Sequence, residues 1–226
     1  MHKAMIVSTV ILGALLFAAI FPTMVSLAEE AKEALPVALP PPYFASTPLD
    51  YENEHYEGPI FKPRPPFLAP KGGVLLSETK PVTSSVKPNY GKLEQIVDGK
   101  IGPEQDRAVE LGPGLQWVQI DLGKQSELYA IAAWHFYFNT RVYFDVVVRI
   151  ADDAEFTKNV QTIYNNDYDS STKLGVGENK EYADTFEGRI FDAKGLKGRY
   201  VRLYSNGNTT DECNHYIEVQ VFGKPL

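Results

Sequence analysis

Strict alternation of apolar and polar residues is the feature that most constrains the fold of this chain. Residues 117–122 (WVQIDL) show it most clearly, and residues 200–204 (YVRLY) and 217–222 (IEVQVF) repeat it. A period of two residues is that of a β-strand with one buried face. Residues 128–134 and 144–150 are apolar enough to be buried strands. The chain therefore contains several short strands.

Turn residues separate these segments, and no stretch longer than a few turns carries a helical apolar stripe. The turn signals are Asp98-Gly99, Gly112-Pro113-Gly114, Leu122-Gly123, Asn165-Asn166-Asp167, Glu187-Gly188 and Asn206-Gly207. Many short strands joined by such turns are typical of an all-β protein, and the pattern predicts an antiparallel β-sandwich over residues 74–226.

The N-terminal segment, residues 1–28, predicts a secretory signal peptide. A basic start precedes a long apolar run that ends in Ser26-Leu27-Ala28, and small residues at these positions are read by signal peptidase. Cleavage after Ala28 would send the protein outside the cell, into the periplasm or to the cell surface. The run is also long enough to span a bilayer, so an uncleaved membrane anchor stays an alternative.

Residues 29–73 hold most of the prolines and predict an extended arm or linker. The segment also carries Tyr43, Tyr51, Tyr56 and Phe67, which a solvated spacer does not need. Two interpretations follow: a passive tether, or an arm that lays aromatic rings on its own domain or on a partner. Because prolines cannot enter the sheet, we expect the arm to be dispensable for folding.

Composition excludes several classes of protein. The net charge is −7, and the basic residues are scattered, so no stripe exists for a phosphate backbone and we expect no nucleic-acid partner. Cys213 is the single cysteine of 226 residues, which rules out an intrachain disulfide and any zinc site of several thiolates. The hydrolase elbow, the zinc-protease motif and the phosphate and dinucleotide fingerprints are missing, so we expect no enzyme activity.

Five segments in a fixed order resemble the discoidin or coagulation factor 5/8 type C domains, whose galactose-binding-like jelly roll is shared by family 32 carbohydrate-binding modules. They are residues 97–99 (VDG), 117–123 (WVQIDLG), 143–148 (YFDVVV) with Asp152-Asp153, 198–203 (GRYVRL) and 216–223 (YIEVQVFG). The resemblance implies a jelly-roll sandwich that grips its ligand with loops at one end. Two features depart from the family: the usual disulfide is missing, and residues 106–108 (DRA) replace a common Thr-x-Trp.

The resemblance also implies one structural calcium ion, with Asp98 and Glu218 at the positions of the family's carboxylate ligands. Calcium prefers several oxygen ligands, and a turn around Gly99 can direct backbone carbonyls inward. The alternative is that Asp98 only makes the turn and that Glu218 is solvated on the outer face of its strand.

Ligand-binding residues are expected in two loops. The aromatic run 134–141 combines flat rings with planar polar groups, which is the chemistry that sugar rings and vicinal hydroxyls require. Related modules supply a His, an Arg and an Asn from these regions. The predicted ligand-binding residues are Trp134, His135, Tyr137, Arg141, Asn206, Asn208 and Asn214. The alternative is that Trp134, Phe136 and Phe138 belong to the core and that His135 is hydrogen-bonded at the rim.

The sequence thus predicts a secreted, non-catalytic domain that recognises carbohydrate at a cell surface or in the extracellular matrix. The alternative function is that of a structural or accessory subunit, which docks on another protein of an extracellular or membrane-bound assembly through the sandwich and the arm. A membrane is a partner only if the N-terminal segment is kept as an anchor.

Overall fold

The computed structural model describes residues 31–43, 51–59, 62–102 and 107–226. The predicted signal peptide lies outside these residues. Asp106, the first residue of the segment that replaces the family's Thr-x-Trp, also lies outside them. Within the part of the chain described, no helix is both long enough and apolar enough to cross a membrane.

The described residues form a nearly all-β protein, which confirms the predicted fold class. In chain order the elements are β1 (Lys32–Ala34), β2 (Leu68–Pro70), β3 (Val74–Leu75), β4 (Val82–Ser84), the 3₁₀ helix η1 (Leu93–Val97), β5 (Val109–Leu111), β6 (Gln116–Trp134), β7 (Val147–Ala151), β8 (Gln161–Asn165), β9 (Arg189–Ser205), β10 (Asn214–Tyr216) and β11 (Glu218–Pro225).

Two long strands, β6 and β9, run antiparallel along their whole length and build both layers of the sandwich. The register breaks between Asp121 and Ser126, where β6 passes from one layer to the other. Its first half pairs with β4 and the end of β9, and β7 and β8 complete this five-stranded layer. Its second half pairs with β11 and the start of β9, and β3 completes the four-stranded layer.

The main core lies between the two layers. The alternation of β6 turns Val118 and Ile120 inward from the first half, and Ile131 does the same from the second. Val201 of β9 and Val221 of β11 join them, all fully buried. Burial of a large aliphatic side chain contributes about 1.5 to 3 kcal/mol, so this cluster supplies much of the stability.

The outer face of the four-stranded layer is also buried, and residues of the arm cover it. β1 and β2 pair antiparallel, which brings Leu35 and Ala69 against Ala130 of β6 and Phe222 of β11. This explains why residues 128–134 show no polar face: the strand has core on one side and arm on the other. The sequence identified the buried strand but not the arm as its cover.

Later parts of the arm contact the loops of the domain. Tyr43 packs edge-on against Phe138, with ring centroids 5.1 Å apart. Tyr51 donates a hydrogen bond to the carboxylate of the buried Glu181 and lies 6.1 Å from the ring of Phe144. The described arm residues therefore contact their own domain. The expectation that the arm is dispensable for folding is revised, because removing it would expose a buried apolar face.

We predict that Leu35→Ala lowers the free energy of unfolding by about 2 kcal/mol, because it opens a cavity between the arm and the sheet. Leu39→Ala is the matched control, since Leu39 lies in the same arm but is 56% exposed. It should change stability by less than about 0.5 kcal/mol. Chemical denaturation of both variants measures the difference, and a Leu35→Ala protein as stable as the control would show that the arm does not support the fold.

Candidate functional site

Three loops leave the sandwich at one end. β6 begins where β9 ends, with Gln116 paired to Ser205. Residues 112–115 lead into this point, residues 206–213 lead away from it, and residues 135–146 connect the end of β6 to the start of β7. The pairing of the long strands thus brings together loops that are far apart in the sequence.

Backbone hydrogen bonds join two of these loops. Asn206 N donates to Phe144 O at 2.9 Å, and Phe144 N donates to Gly207 O at 3.1 Å. Thr209 N donates to Val142 O at 3.0 Å. The loop 135–146 and the loop 206–213 therefore meet in one rigid arrangement, as a shared ligand site requires.

A cavity of about 680 Å³ opens beside this junction. Arg141 lies in its wall together with Tyr90, Glu110, Phe136, Asn139, Asp211 and His215. The antiparallel pair of β5 and β10 sets Glu110 opposite His215. An isolated bridge sets Tyr90 opposite Glu110. Four separate stretches of the chain thus contribute to one concave surface.

An ion pair holds the two loops together inside the cavity. Arg141 Nη1 donates to Asp211 Oδ2 at 2.7 Å, and the guanidinium lies 4.7 Å from the centre of the Phe136 ring. Burial alone would raise the pKa of Asp211, but the hydrogen bond from Asn208 and the positive charge of Arg141 together lower it. Asp211 is therefore ionised at neutral pH, and the pair is electrically neutral.

His215 connects this ion pair to Glu110. Its Nδ1 lies 3.1 Å from Tyr143 Oη and 3.5 Å from Arg141 Nη1, and its Nε2 lies 3.4 Å from Glu110 Oε2. Burial, followed by the charge of Arg141, lowers the pKa of His215. The imidazole is thus predominantly neutral at pH 7.

Arg141 alone of the predicted ligand-binding residues lines this cavity. Trp134 and His135 are fully buried, and Tyr137 is 2% exposed. Trp134 donates from Nε1 to Phe186 O at 2.9 Å, and His135 forms a buried pair with Asp184 at 3.3 Å. The prediction that these three side chains contact ligand is corrected, because none of them presents a face to solvent. Trp134 belongs to the core, as the alternative proposed, and Tyr137 packs in the same cluster. His135 is fully buried and does not lie at the rim.

The three predicted asparagines have different positions. Asn206 and Asn208 line a second depression on the other side of the 206–213 loop, where Asn206 donates to Asp145. Asn208 donates to Asp211 and to Cys213 O, which shapes the loop. Asn214 is fully buried and donates to Gly112 O and Gly114 O. Asn208 and Asn214 therefore hold the loops in place and are not available to a ligand in the cavity.

Tyr90 and Glu110 were missed by the sequence analysis. Tyr90 is 54% exposed, the highest value of any aromatic residue described in the cavity wall. Glu110 lies between Val109 and Leu111, which are both fully buried, so the same period-two alternation that identifies strands places it on the opposite face. No sequence signal, however, pairs β5 with β10.

The two predicted calcium ligands lie close together at the C-terminal end of η1. Both carboxylate oxygens of Glu218 accept from Gly99 N, at 3.2 and 3.3 Å, and Glu218 is 1% exposed. Burial, and then the negative charge of Asp98, raise the pKa of Glu218 to about 8. The alternative of a solvated Glu218 is wrong. Asp98 also accepts a hydrogen bond from Arg107 at 3.3 Å.

No family model and no curated protein matches the chain. Solved structures share its fold. One is truncated AlyQ with CBM32 and alginate lyase domains, at a TM-score of 0.50 and 16% identity over 68% of this chain and 34% of AlyQ. Another is the family 89 glycoside hydrolase from Clostridium perfringens bound to 2-acetamido-1,2-dideoxynojirmycin, which has a TM-score of 0.51 and 18% identity over 67% of this chain. This chain spans only 15% of that hydrolase.

We predict that Trp134→Ala lowers the free energy of unfolding by about 3 to 5 kcal/mol, because it removes a fully buried ring and its hydrogen bond. Chemical denaturation gives the value. A variant that keeps wild-type stability would contradict the assignment of Trp134 to the core and restore it as a candidate stacking platform.

Proposed function

We propose that this chain is a non-catalytic carbohydrate-binding protein of the cell exterior, and that the cavity around Arg141 receives the sugar. The observation that carries the proposal is the composition of the cavity wall. It joins the exposed aromatic ring of Tyr90 to an ion pair whose edges can donate and accept hydrogen bonds, Arg141 and Asp211. The ring of Phe136 packs against the guanidinium of Arg141. A sugar ring needs an apolar surface for its C–H groups and planar polar groups for neighbouring hydroxyls.

The fold supports the same proposal. A structure that contains a CBM32 domain shares this fold, and the loop end described above is a natural place for a ligand on such a sandwich. The loops are fixed by hydrogen bonds to one another before any ligand arrives, so little conformational entropy is lost on binding. The described residues of the arm pack on their own domain, so none of these contacts supports the docking-subunit alternative.

We expect the full chain to bind extracellular glycans on a glycan array, and Tyr90→Ala to weaken binding about fivefold by removing an exposed stacking face. Tyr168→Ala is the matched control: Tyr168 is 42% exposed, lies outside the cavity wall and stacks on His55. Calorimetry with the best array ligand compares the three proteins. Failure of the wild type to bind any glycan would refute the proposed function, and equal losses in both variants would refute the site.

We further propose that Asp98 and Glu218 hold one structural calcium ion. The residues offer such an ion two carboxyl groups at one turn: buried Glu218 accepts hydrogen bonds from Gly99 N, and Asp98, which pairs with Arg107, directly precedes Gly99. A divalent cation would favour the ionised form of Glu218, whose pKa burial and then Asp98 raise. When bound, the ion would supply positive charge that fixes the turn after η1 against β11. It would take no part in ligand chemistry.

Calcium should raise the melting temperature and EDTA should lower it, since a ligand of the native state adds about 2.7 kcal/mol at a hundredfold excess over Kd. Glu218→Gln should abolish this response in differential scanning calorimetry. If Glu218→Gln still responds to EDTA, the ion lies elsewhere, for example at Asp145, Asp167 and Asp169, whose carboxylate oxygens lie within 4.8 Å of one another. A wild type indifferent to EDTA would eliminate structural calcium altogether.

A further inference from the structure

The charge balance of the cavity restricts the kind of sugar that it can bind. Four acidic or basic side chains line its wall, and two of them, Arg141 and Asp211, neutralise each other through their 2.7 Å contact. The net charge of the cavity is therefore decided by His215 and Glu110.

The surroundings of His215 determine which ring nitrogen carries its proton and keep the ring neutral. Arg141 can only donate hydrogen bonds, so the His215 Nδ1 that faces it is best placed as an acceptor, and Tyr143 Oη can donate to the same atom. The proton of the neutral ring then lies on Nε2, which faces Glu110. Burial beside a guanidinium disfavours a second proton. His215 is thus a neutral donor to Glu110 and does not compensate its charge.

Glu110 has no cationic partner among the described residues. Besides His215, its hydrogen-bond partners are the neutral amide of Asn89, at 3.3 Å, and the thiol of Cys213, whose pKa is raised by burial and then by the charge of Glu110. In the part of the chain described, no lysine or arginine forms an ion pair with Glu110. Its side chain is about one-third exposed, at 34%, so a ligand can reach the carboxylate. Tyr90, whose ring is exposed, is the bridge partner of Glu110. A carboxylate and an aromatic face thus adjoin at the open side of the cavity.

We propose that the sugar bound here carries a free, protonated amino group, as in a glucosamine unit, and that Glu110 and Tyr90 recognise that group. This inference rests on the proposed carbohydrate function. A carboxylate forms its strongest hydrogen bonds with a cationic donor, and an aromatic face attracts an ammonium group through its quadrupole. Acetylation removes the charge of the amine, and a uronic acid is repelled by Glu110.

Calorimetry of the full chain at about pH 6.5, where a sugar amine is protonated, tests the inference. The probes are the glucosamine tetramer, the N-acetylglucosamine tetramer and a tetralysine peptide. We expect the wild type to prefer the glucosamine tetramer at least about tenfold over the acetylated one, and to bind tetralysine far more weakly. Raising the salt from about 50 to about 500 mM should reduce the preference, because the deciding contact is partly exposed.

Glu110→Gln should abolish the preference and keep the melting temperature. Glu155 lies in the loop between β7 and β8, at the opposite end of the sandwich. Glu155→Gln removes the same charge and should keep the preference for the glucosamine tetramer. Equal affinity for both tetramers, a Glu110→Gln protein that still prefers the amine, or tight binding of tetralysine would each overturn the inference. Binding of the acetylated tetramer or of a neutral sugar alone would overturn it and leave the proposed function intact. Binding of no glycan at all would refute both.

Discussion

The fold depends on the burial of the second half of β6 on both of its faces. Residues 128–134 have no polar side to turn toward water, so the strand requires apolar cover above and below. The five-stranded layer covers one face, and Leu35 and Ala69 of the arm cover the other. The same strand ends at Trp134, directly before the loop that reaches the cavity. Burial of Trp134 and His135 therefore anchors this loop, while Arg141, itself only 6% exposed, lines the cavity at the far end of the loop.

The cavity combines rigidity with an incomplete charge balance. Arg141 and Asp211 join two loops across a separation of 70 residues, and backbone hydrogen bonds between residues 142–144 and 206–209 hold the same junction. Buried ion pairs contribute little net stability, but they fix the arrangement of the groups that they connect. Glu110 stands outside this balanced set. Among the described residues its partners His215, Asn89 and Cys213 are all neutral, and this lack of a cationic partner is the physical reason for assigning its charge to a ligand.

Alternation in the sequence predicted the strands and the sandwich, because period-two burial depends only on local neighbours and one core. The resemblance implied that the ligand is held by loops at one end of the sandwich, and the loops after β6 and β9 do meet there. The sequence analysis placed Trp134, His135 and Tyr137 in the ligand site because, in a sequence alone, aromatic and polar residues of a core cannot be distinguished from those of a binding site. Glu110 and Tyr90 were missed because their meeting depends on the pairing of β5 with β10 and on a long-range bridge. Packing of the arm on its own domain was one of the two interpretations of the sequence. The expectation that the arm is dispensable needed revision because proline excludes regular central strands but not a short pair such as β1 with β2.

The central claim is that carbohydrate binds at the loop end of the sandwich, in the cavity around Arg141. Backbone amide NMR of the full chain, titrated with the glycan that binds most tightly, tests it most directly. The account predicts shifts at residues 108–112, 136–141 and 211–215, and unchanged signals in residues 152–160 at the opposite end. Shifts confined to residues 152–160 or to the outer faces of the sheets, with the cavity residues unaffected, would contradict it.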